Sequence, residues 1–108
     1  MSETKLLEST RQFLEEPLLG EQDLDTKIRL LLEAEYLRRL GRYRRLDHTL
    51  TQKYGIAFEE FMARRVVQQK EYTWDVEKDA MDWETAVDGT RTMERKLQEL
   101  RESGRVQL

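Results

Sequence analysis

Five arginines and no acidic residue stand within the run RRLGRYRR at 38–45. Clustered guanidinium groups commonly bind phosphate and carboxylate groups, so this run could contact nucleic acid or an acidic partner protein. On a helix, Arg38, Arg42 and Arg45 would share one face. Binding of phosphate would require these side chains to be exposed and free of carboxylate partners within the chain.

A run of opposite charge, DVEKDAMDWETAVD at 75–88, contains six acids and one lysine. Carboxylates at this density could hold a metal ion, but a di-metal helical site would normally include Glu-x-x-His pairs, and this run has no histidine. The spacing and glycine of a calcium-binding loop are also missing. We therefore interpret the run as a solvated or ion-paired helix face and predict no metal and no cofactor.

Residues suited to catalysis are scarce. His48 is the single histidine, and the chain contains no cysteine. Its neighbour Asp47 is not placed to orient it, because consecutive residues on a helix do not face each other. The motifs of phosphate-binding loops, dinucleotide-binding folds, serine hydrolases and zinc proteases do not occur. We therefore predict that the protein is not an enzyme and has no catalytic residues.

The composition is typical of one small helical domain. The 108 residues are 38% hydrophobic and 38% charged, with one proline and five glycines, which favours helices and leaves little material for a deep pocket. The net charge of −3 does not favour nucleic acid as a partner. Apolar segments are all shorter than a membrane span or a signal peptide. We therefore expect a cytoplasmic protein with no membrane partner.

An apolar stripe with steps of three and four residues predicts a long helix that ends at Tyr54. Asp25 or Thr26 would cap its N-terminus, and Gly55 suits the left-handed position that follows the last turn. Inside this helix, Gly41 costs roughly 1 kcal/mol relative to alanine. We therefore expect either a kink or a close approach of another group at Gly41.

A second stripe with heptad-like steps predicts a second long helix, from Thr73 or Asp75 to about Glu102, with Gly104 as a stop. A short helix at 56–65 separates the two long ones. Short connections favour antiparallel neighbours. We therefore predict an all-α fold, namely a long, coiled-coil-like antiparallel helical hairpin with a short helix at its closed end.

The hairpin domain is assigned to residues 24–104, with a partly extended connector at 66–73. Residues 1–23 are expected to form an N-terminal appendage, in which a short helix over 4–15 precedes a linker at 20–25. Two amphipathic helices alone bury little of their outer faces, so we expect a protein partner or a homo-oligomer.

In such a hairpin the acidic run 75–88 would lie beside residues 40–53. We predict that its acids pair with the arginines of 38–45 and so set the register and orientation of the helices, since exposed ion pairs each contribute only about 0–1 kcal/mol of stability. Arginines left unpaired could contact a partner. The candidate partner-binding residues are Arg38, Arg42, Arg45, Trp83 and Met93.

Helical spacing favours packing over base stacking for most aromatic residues. Trp74, Tyr72, Tyr54 and Phe58 are expected to gather near the closed end, while Trp83 suits either the helix seam or an interface.

The second stripe leaves two alternatives at its C-terminal end. Glu94 and Arg101 could form a buried ion pair on the seam. Alternatively, the stripe could rotate so that Met93, Leu97 and Leu100 face the first helix, and we prefer this rotation.

The runs LRRLGRYRRLDHTLTQKYGIAFEEF and YTWDVEKDAMDWETAVDGTRTMERKLQEL resemble a family of small prokaryotic proteins. In that family an RY…D…L..KYG..FEEF block precedes a VE.D…WE.A.DG..T.E.KL block, and the similarity covers residues 28–100. The family is associated with the antitoxins of toxin–antitoxin pairs, so the resemblance implies a non-catalytic helical protein that sequesters a small toxin. The alternatives are a nucleic-acid-binding regulator that uses the 38–45 face and a structural homodimeric coiled coil.

Overall fold

The computed structural model describes residues 6–16 and 23–105. These residues form five α-helices and no β-strand. The long helices α2 and α5 pack against each other as an antiparallel hairpin, with α3 and α4 between them at its closed end, so the predicted fold class is confirmed. The helices are α1 (Glu8–Leu14), α2 (Leu24–Tyr54), α3 (Phe58–Ala63), α4 (Val66–Gln69) and α5 (Trp74–Arg105).

The chain divides into two compact units, Met1–Ala34 and Glu35–Leu108. In the first unit, Lys27 is buried and its Nζ donates a hydrogen bond to the carbonyl oxygen of Leu14 at the end of α1. That bond satisfies a cation that would be costly to bury alone. Half of the linker predicted at 20–25 lies outside the described residues, and its last two positions belong to α2, which begins at Leu24.

The two ends of α2 are set by local chemistry. The Oδ1 of Asp23 accepts a hydrogen bond from the backbone N–H of Thr26 at 2.7 Å, which lowers the pKa of Asp23. Asp23 is therefore the N-cap, not Asp25 or Thr26 as predicted. The helix ends at Tyr54, and Gly55 follows with φ of 73°, as predicted.

The segment predicted as a partly extended connector at 66–73 contains α4 instead. Arg65 precedes α4 in the left-handed conformation, with φ of 53°, and Glu71 and Tyr72 follow it with φ of 56° and 55°. These three residues reverse the chain without an extended segment. At the other end of the hairpin, α5 continues through Gly104, which does not act as the predicted stop.

The core at the closed end surrounds Trp83, which is fully buried. Ring centroids lie 5.8 Å away in Tyr54, 5.6 Å away in Phe58 and 4.9 Å away in Phe61. The Nε1 of Trp83 donates a hydrogen bond to the Oδ1 of Asp47 on α2 at 2.8 Å. The indole is therefore buried with its polar atom satisfied.

A second, smaller cluster lies further along the two long helices and consists of Leu40, Met93 and Leu97. Glu94 and Arg101 are exposed, so they form no buried ion pair. The apolar stripe of α5 rotates as it approaches the end of the helix, which was the preferred alternative.

Contacts between the long helices fix the register of the hairpin. The ring of Tyr43 covers Gly89, where a Cβ atom would come within 2.5 Å of it. The hydroxyl of Tyr54 donates to the Oδ2 of Asp79 at 2.6 Å, whereas the predicted register placed Tyr54 near Trp74. The observed register is therefore displaced by about one helical turn from the predicted one.

Two glycine-to-alanine substitutions test this close approach. In Gly89→Ala the new Cβ would lie 2.5 Å from the ring of Tyr43, and we expect a loss of about 1–3 kcal/mol of stability. In the control, Gly41→Ala, the Cβ meets only the terminal Nη1 of Arg45 at 3.3 Å, and we expect a gain of about 1 kcal/mol. Thermal denaturation followed by circular dichroism checks both, and an undiminished melting temperature for Gly89→Ala would contradict the register.

Candidate protein-binding surface

The clustered arginines of α2 are partly neutralised, chiefly by residues of their own helix. Arg38 and Arg39 both pair with Glu35 on the preceding turn, with N–O distances of 2.7 and 2.6 Å. Arg44 instead reaches across the hairpin, where its Nη2 donates to the Oε1 of Glu94 at 2.9 Å.

Glu35 pairs with the two arginines nearest the N-terminal end of the 38–45 run, Arg38 and Arg39. Hydrogen bonds from Arg38 and then Arg39 lower the pKa of the Glu35 carboxyl to about 2. The carboxylate therefore remains ionised throughout the neutral range and holds both guanidinium groups against α2. Arg38 is consequently not the unpaired cation that a phosphate contact requires.

Arg42 and Arg45 remain exposed and have no carboxylate partner among the described residues. The guanidinium of Arg42 lies 5.5 Å from the ring centroid of Tyr43. The side chain of Arg45 lies beside Gly41, where an added Cβ atom would come within 3.3 Å of the Arg45 Nη1. These two arginines are the charges of the predicted face that a partner could neutralise.

The predicted pairing of the acidic run 75–88 with the arginines is wrong. Asp79 accepts hydrogen bonds from Lys53 and Tyr54, both at 2.6 Å, and Asp82 pairs within α5. The cause is the displaced register, which puts the arginines beside the part of α5 that follows the acidic run.

Two other predicted contact residues lie in the core. Trp83 is fully buried and Met93 is only 8% exposed, so neither reaches a partner in this conformation. Both belong to the apolar stripe, and the hairpin itself uses that stripe for packing. The exposed tryptophan is Trp74, at 70%, although the sequence favoured packing for it at the closed end.

A groove of about 570 Å³ lies between α2 and α5 at the open end of the hairpin, opposite α3 and α4. Its floor includes the core residues Leu40 and Leu97, and Leu37 lines one wall with 46% of its surface exposed. The ion pair between Arg44 and Glu94 crosses one side. We call this feature the open-end groove.

Large apolar side chains are often exposed in this chain. Among the described residues, eight hydrophobic residues are buried and twelve large ones are exposed. Single exposed apolar residues are ordinary, but an excess of this kind is typical of surfaces that another molecule covers. In the unit Glu35–Leu108 the exposed ones are Leu37, Met62, Tyr72, Trp74 and Met81.

The sequence contains a signal for the exposure of two of these residues. Trp74 precedes Trp83 by nine residues, or two and a half turns, so the two indoles lie on opposite sides of α5. Leu37 likewise falls one position beyond the apolar stripe residue Tyr36. A large apolar residue off the stripe indicates exposure once the helix is known.

No protein-family model, curated protein or solved structure matches this chain. Within the described ranges, no helix is long and apolar enough to cross a membrane. The same residues contain no group of three or more side chains that could hold a metal ion.

The contact of Tyr54 with Asp79 gives the hairpin an alkaline limit. The pKa of Tyr54 is raised from 10.0 to about 12, mainly by burial and to a smaller extent by the hydrogen bond to Asp79. Because the unfolded chain loses this proton near pH 10 and the folded chain keeps it to about pH 12, the contribution to stability is complete below pH 10 and declines between these values. Urea unfolding across this range should show the decline, and Tyr54→Phe should remove this part of it. A Tyr54 that titrates normally in the folded protein, followed by absorbance, would contradict the contact.

Proposed function

We propose that this chain is a protein-binding module whose partner packs into the open-end groove. The observation that carries the proposal is the continuity of the groove with the core, because Leu40 and Leu97 are buried while Leu37 stands exposed at the wall. The two long helices bury Leu40 and Leu97 but leave Leu37 uncovered. A partner helix that places an apolar side chain against Leu37 and polar side chains toward charged lining residues such as Arg44 and Glu94 would complete a small bundle.

The exposed arginines of α2 favour a partner with acidic residues, although Arg42 and Arg45 do not line the groove itself. Arg42 and Arg45 project from α2 without carboxylate partners in the described part of the chain. Exposed cations of this kind add little affinity but accelerate association and exclude basic partners. Leu37 would therefore supply the apolar contact within the groove, and the arginines outside it would favour the approach of an acidic partner.

In its more specific form, the proposal is that the chain is an antitoxin-like inhibitor that sequesters a small toxin. Support for this form comes from the resemblance of residues 28–100 to antitoxin proteins. An antitoxin and its toxin are encoded side by side, so the candidate partner is the product of the adjacent reading frame. Occupation of the groove by a helix of that product would hold the toxin inactive.

A charge placed in the groove tests the proposal. Leu37→Glu should weaken the complex with the product of the adjacent reading frame at least about tenfold, because it replaces the exposed apolar side chain of the groove with a carboxylate, in a groove that Glu94 and Glu102 already line. Met81→Glu is the matched control, since Met81 is a 65% exposed apolar residue on α5 outside the groove. Isothermal titration calorimetry gives both affinities, and circular dichroism verifies that both variants remain helical. Equal binding by the two variants would exclude the groove as the docking site.

One observation favours a nucleic-acid-binding regulator as the second candidate, namely the lack of carboxylate partners for Arg42 and Arg45. Two phosphate contacts would give a salt dependence with a slope of only about −2 in a plot of log K against log salt. We therefore expect no retention of duplex DNA at physiological salt. Salt-dependent retention that Arg42→Ala with Arg45→Ala abolishes would favour the regulator over the protein-binding module.

A further inference from the structure

A second apolar cavity lies at the closed end of the hairpin, where α3 meets α4. Its volume is about 150 Å³, and Phe61, Val66 and Val67 form its walls. Met62 and Tyr72 stand at its rim, 51% and 56% exposed. We call this cavity the closed-end pocket.

The size of the closed-end pocket is that of one side chain. An apolar protein cavity of about 150 Å³ is large enough to hold benzene. The pocket therefore matches a phenyl ring, or an aliphatic side chain of similar size. Since its walls are apolar, the entry of such a group would remove apolar surface from water on both sides of the contact.

Arg65 is the charged residue that lines the closed-end pocket. Its guanidinium has no carboxylate partner among the described residues, whereas that of the adjacent Arg64 pairs with Glu60. A guanidinium beside a ring-sized apolar pocket complements a ligand in which a carboxylate adjoins an apolar side chain. One ligand could therefore occupy the cavity with its apolar group and pair with Arg65 through its carboxylate.

The backbone around the closed-end pocket is constrained by one hydrogen bond and two left-handed residues. The N–H of Tyr72 donates to the carbonyl oxygen of Val67 at 2.9 Å, which ties the rim to the wall. Arg65 and Tyr72 are both left-handed, with φ of 53° and 55°, a conformation that residues with side chains adopt infrequently. Glycine would adopt the left-handed conformation of Arg65 more easily. The arginine side chain is therefore placed at the pocket at some steric cost to the backbone.

We infer that the closed-end pocket binds a phenyl-sized apolar side chain of a partner polypeptide, whose neighbouring carboxylate pairs with Arg65. The inference extends the proposed function to a second surface and rests on it for the polypeptide nature of the ligand. The open-end groove and the closed-end pocket have no lining residue in common. Each site can therefore be tested while the other stays intact.

The probe for the pocket is N-acetylphenylalanine, which carries both the ring and the carboxylate. We expect millimolar binding to the full chain, as is normal for so small a ligand, and at least about fivefold weaker binding of N-acetylphenylalaninamide and of N-acetylalanine. Nuclear magnetic resonance follows the Met62 methyl group and the Tyr72 ring. The inference would be overturned if the resonances of Leu37 shifted on binding and those of Met62 and Tyr72 did not. It would also be overturned if N-acetylphenylalanine bound no more tightly than the two analogues.

A substitution at Arg65 separates recognition from folding. Arg65→Gly should remove the preference for the acid over the amide, yet raise the melting temperature by about 2–6 °C, because glycine adopts the left-handed conformation without steric cost. Arg64→Ala is the control and should leave the preference unchanged. A purely structural role for Arg65 would leave the preference intact in Arg65→Gly, and that result would overturn the inference. The probe is a small molecule and not a partner protein. A failure to bind it would therefore overturn this inference without affecting the Leu37→Glu test of the proposed function.

Discussion

Near the closed end of the hairpin, the indole N–H of Trp83 donates to the carboxylate of Asp47 while the ring is fully buried. A buried indole without an acceptor would cost about 1–3 kcal/mol, so this bond selects one axial position of α5 along α2. Phe61 of α3 packs on the same indole, 4.9 Å between ring centroids. The closed end of the hairpin and the register of its two long helices are consequently fixed together.

The register in turn decides which charges face solvent. With Tyr43 against Gly89, the arginine-rich part of α2 lies beyond the acidic start of α5. Arg44 finds a partner in Glu94, whereas Arg42 remains without a carboxylate among the described residues. The potential binding surface is therefore a consequence of core packing, and a slip of one turn would produce a different set of exposed charges.

The features predicted correctly from the sequence are those that depend on neighbouring residues. The long helices follow from apolar periodicity, and the end of α2 follows from the left-handed Gly55. The register could not be predicted, because it depends on the fit of the Tyr43 ring over Gly89. These two residues are far apart in the chain. The turn at Arg65 was missed for a different reason, since an arginine gives no local indication of a positive φ.

The candidate site was only partly predictable, because one sequence pattern is compatible with two locations. Residues at helical spacing, such as Trp83 and Met93, can face either a partner or the second helix of the same chain, and here they face the second helix. Arg42 and Arg45 were named as candidate contacts from their shared helix face, whereas their exposure without carboxylate partners among the described residues follows from the observed register. Leu37 was not among the candidate contacts, although its position off the apolar stripe indicates that it is exposed.

Most of the ion pairs of this protein are local. Of the ten between described residues, seven join side chains three or four positions apart, such as Arg29 with Asp25 and Lys78 with Asp82. Pairs of this kind form whenever their own turn becomes helical, whether or not the rest of the chain is folded. They therefore favour residual helix in the denatured ensemble nearly as much as in the native state. Folding would then begin from a chain already rich in transient turns, with the few contacts between helices remaining to be made.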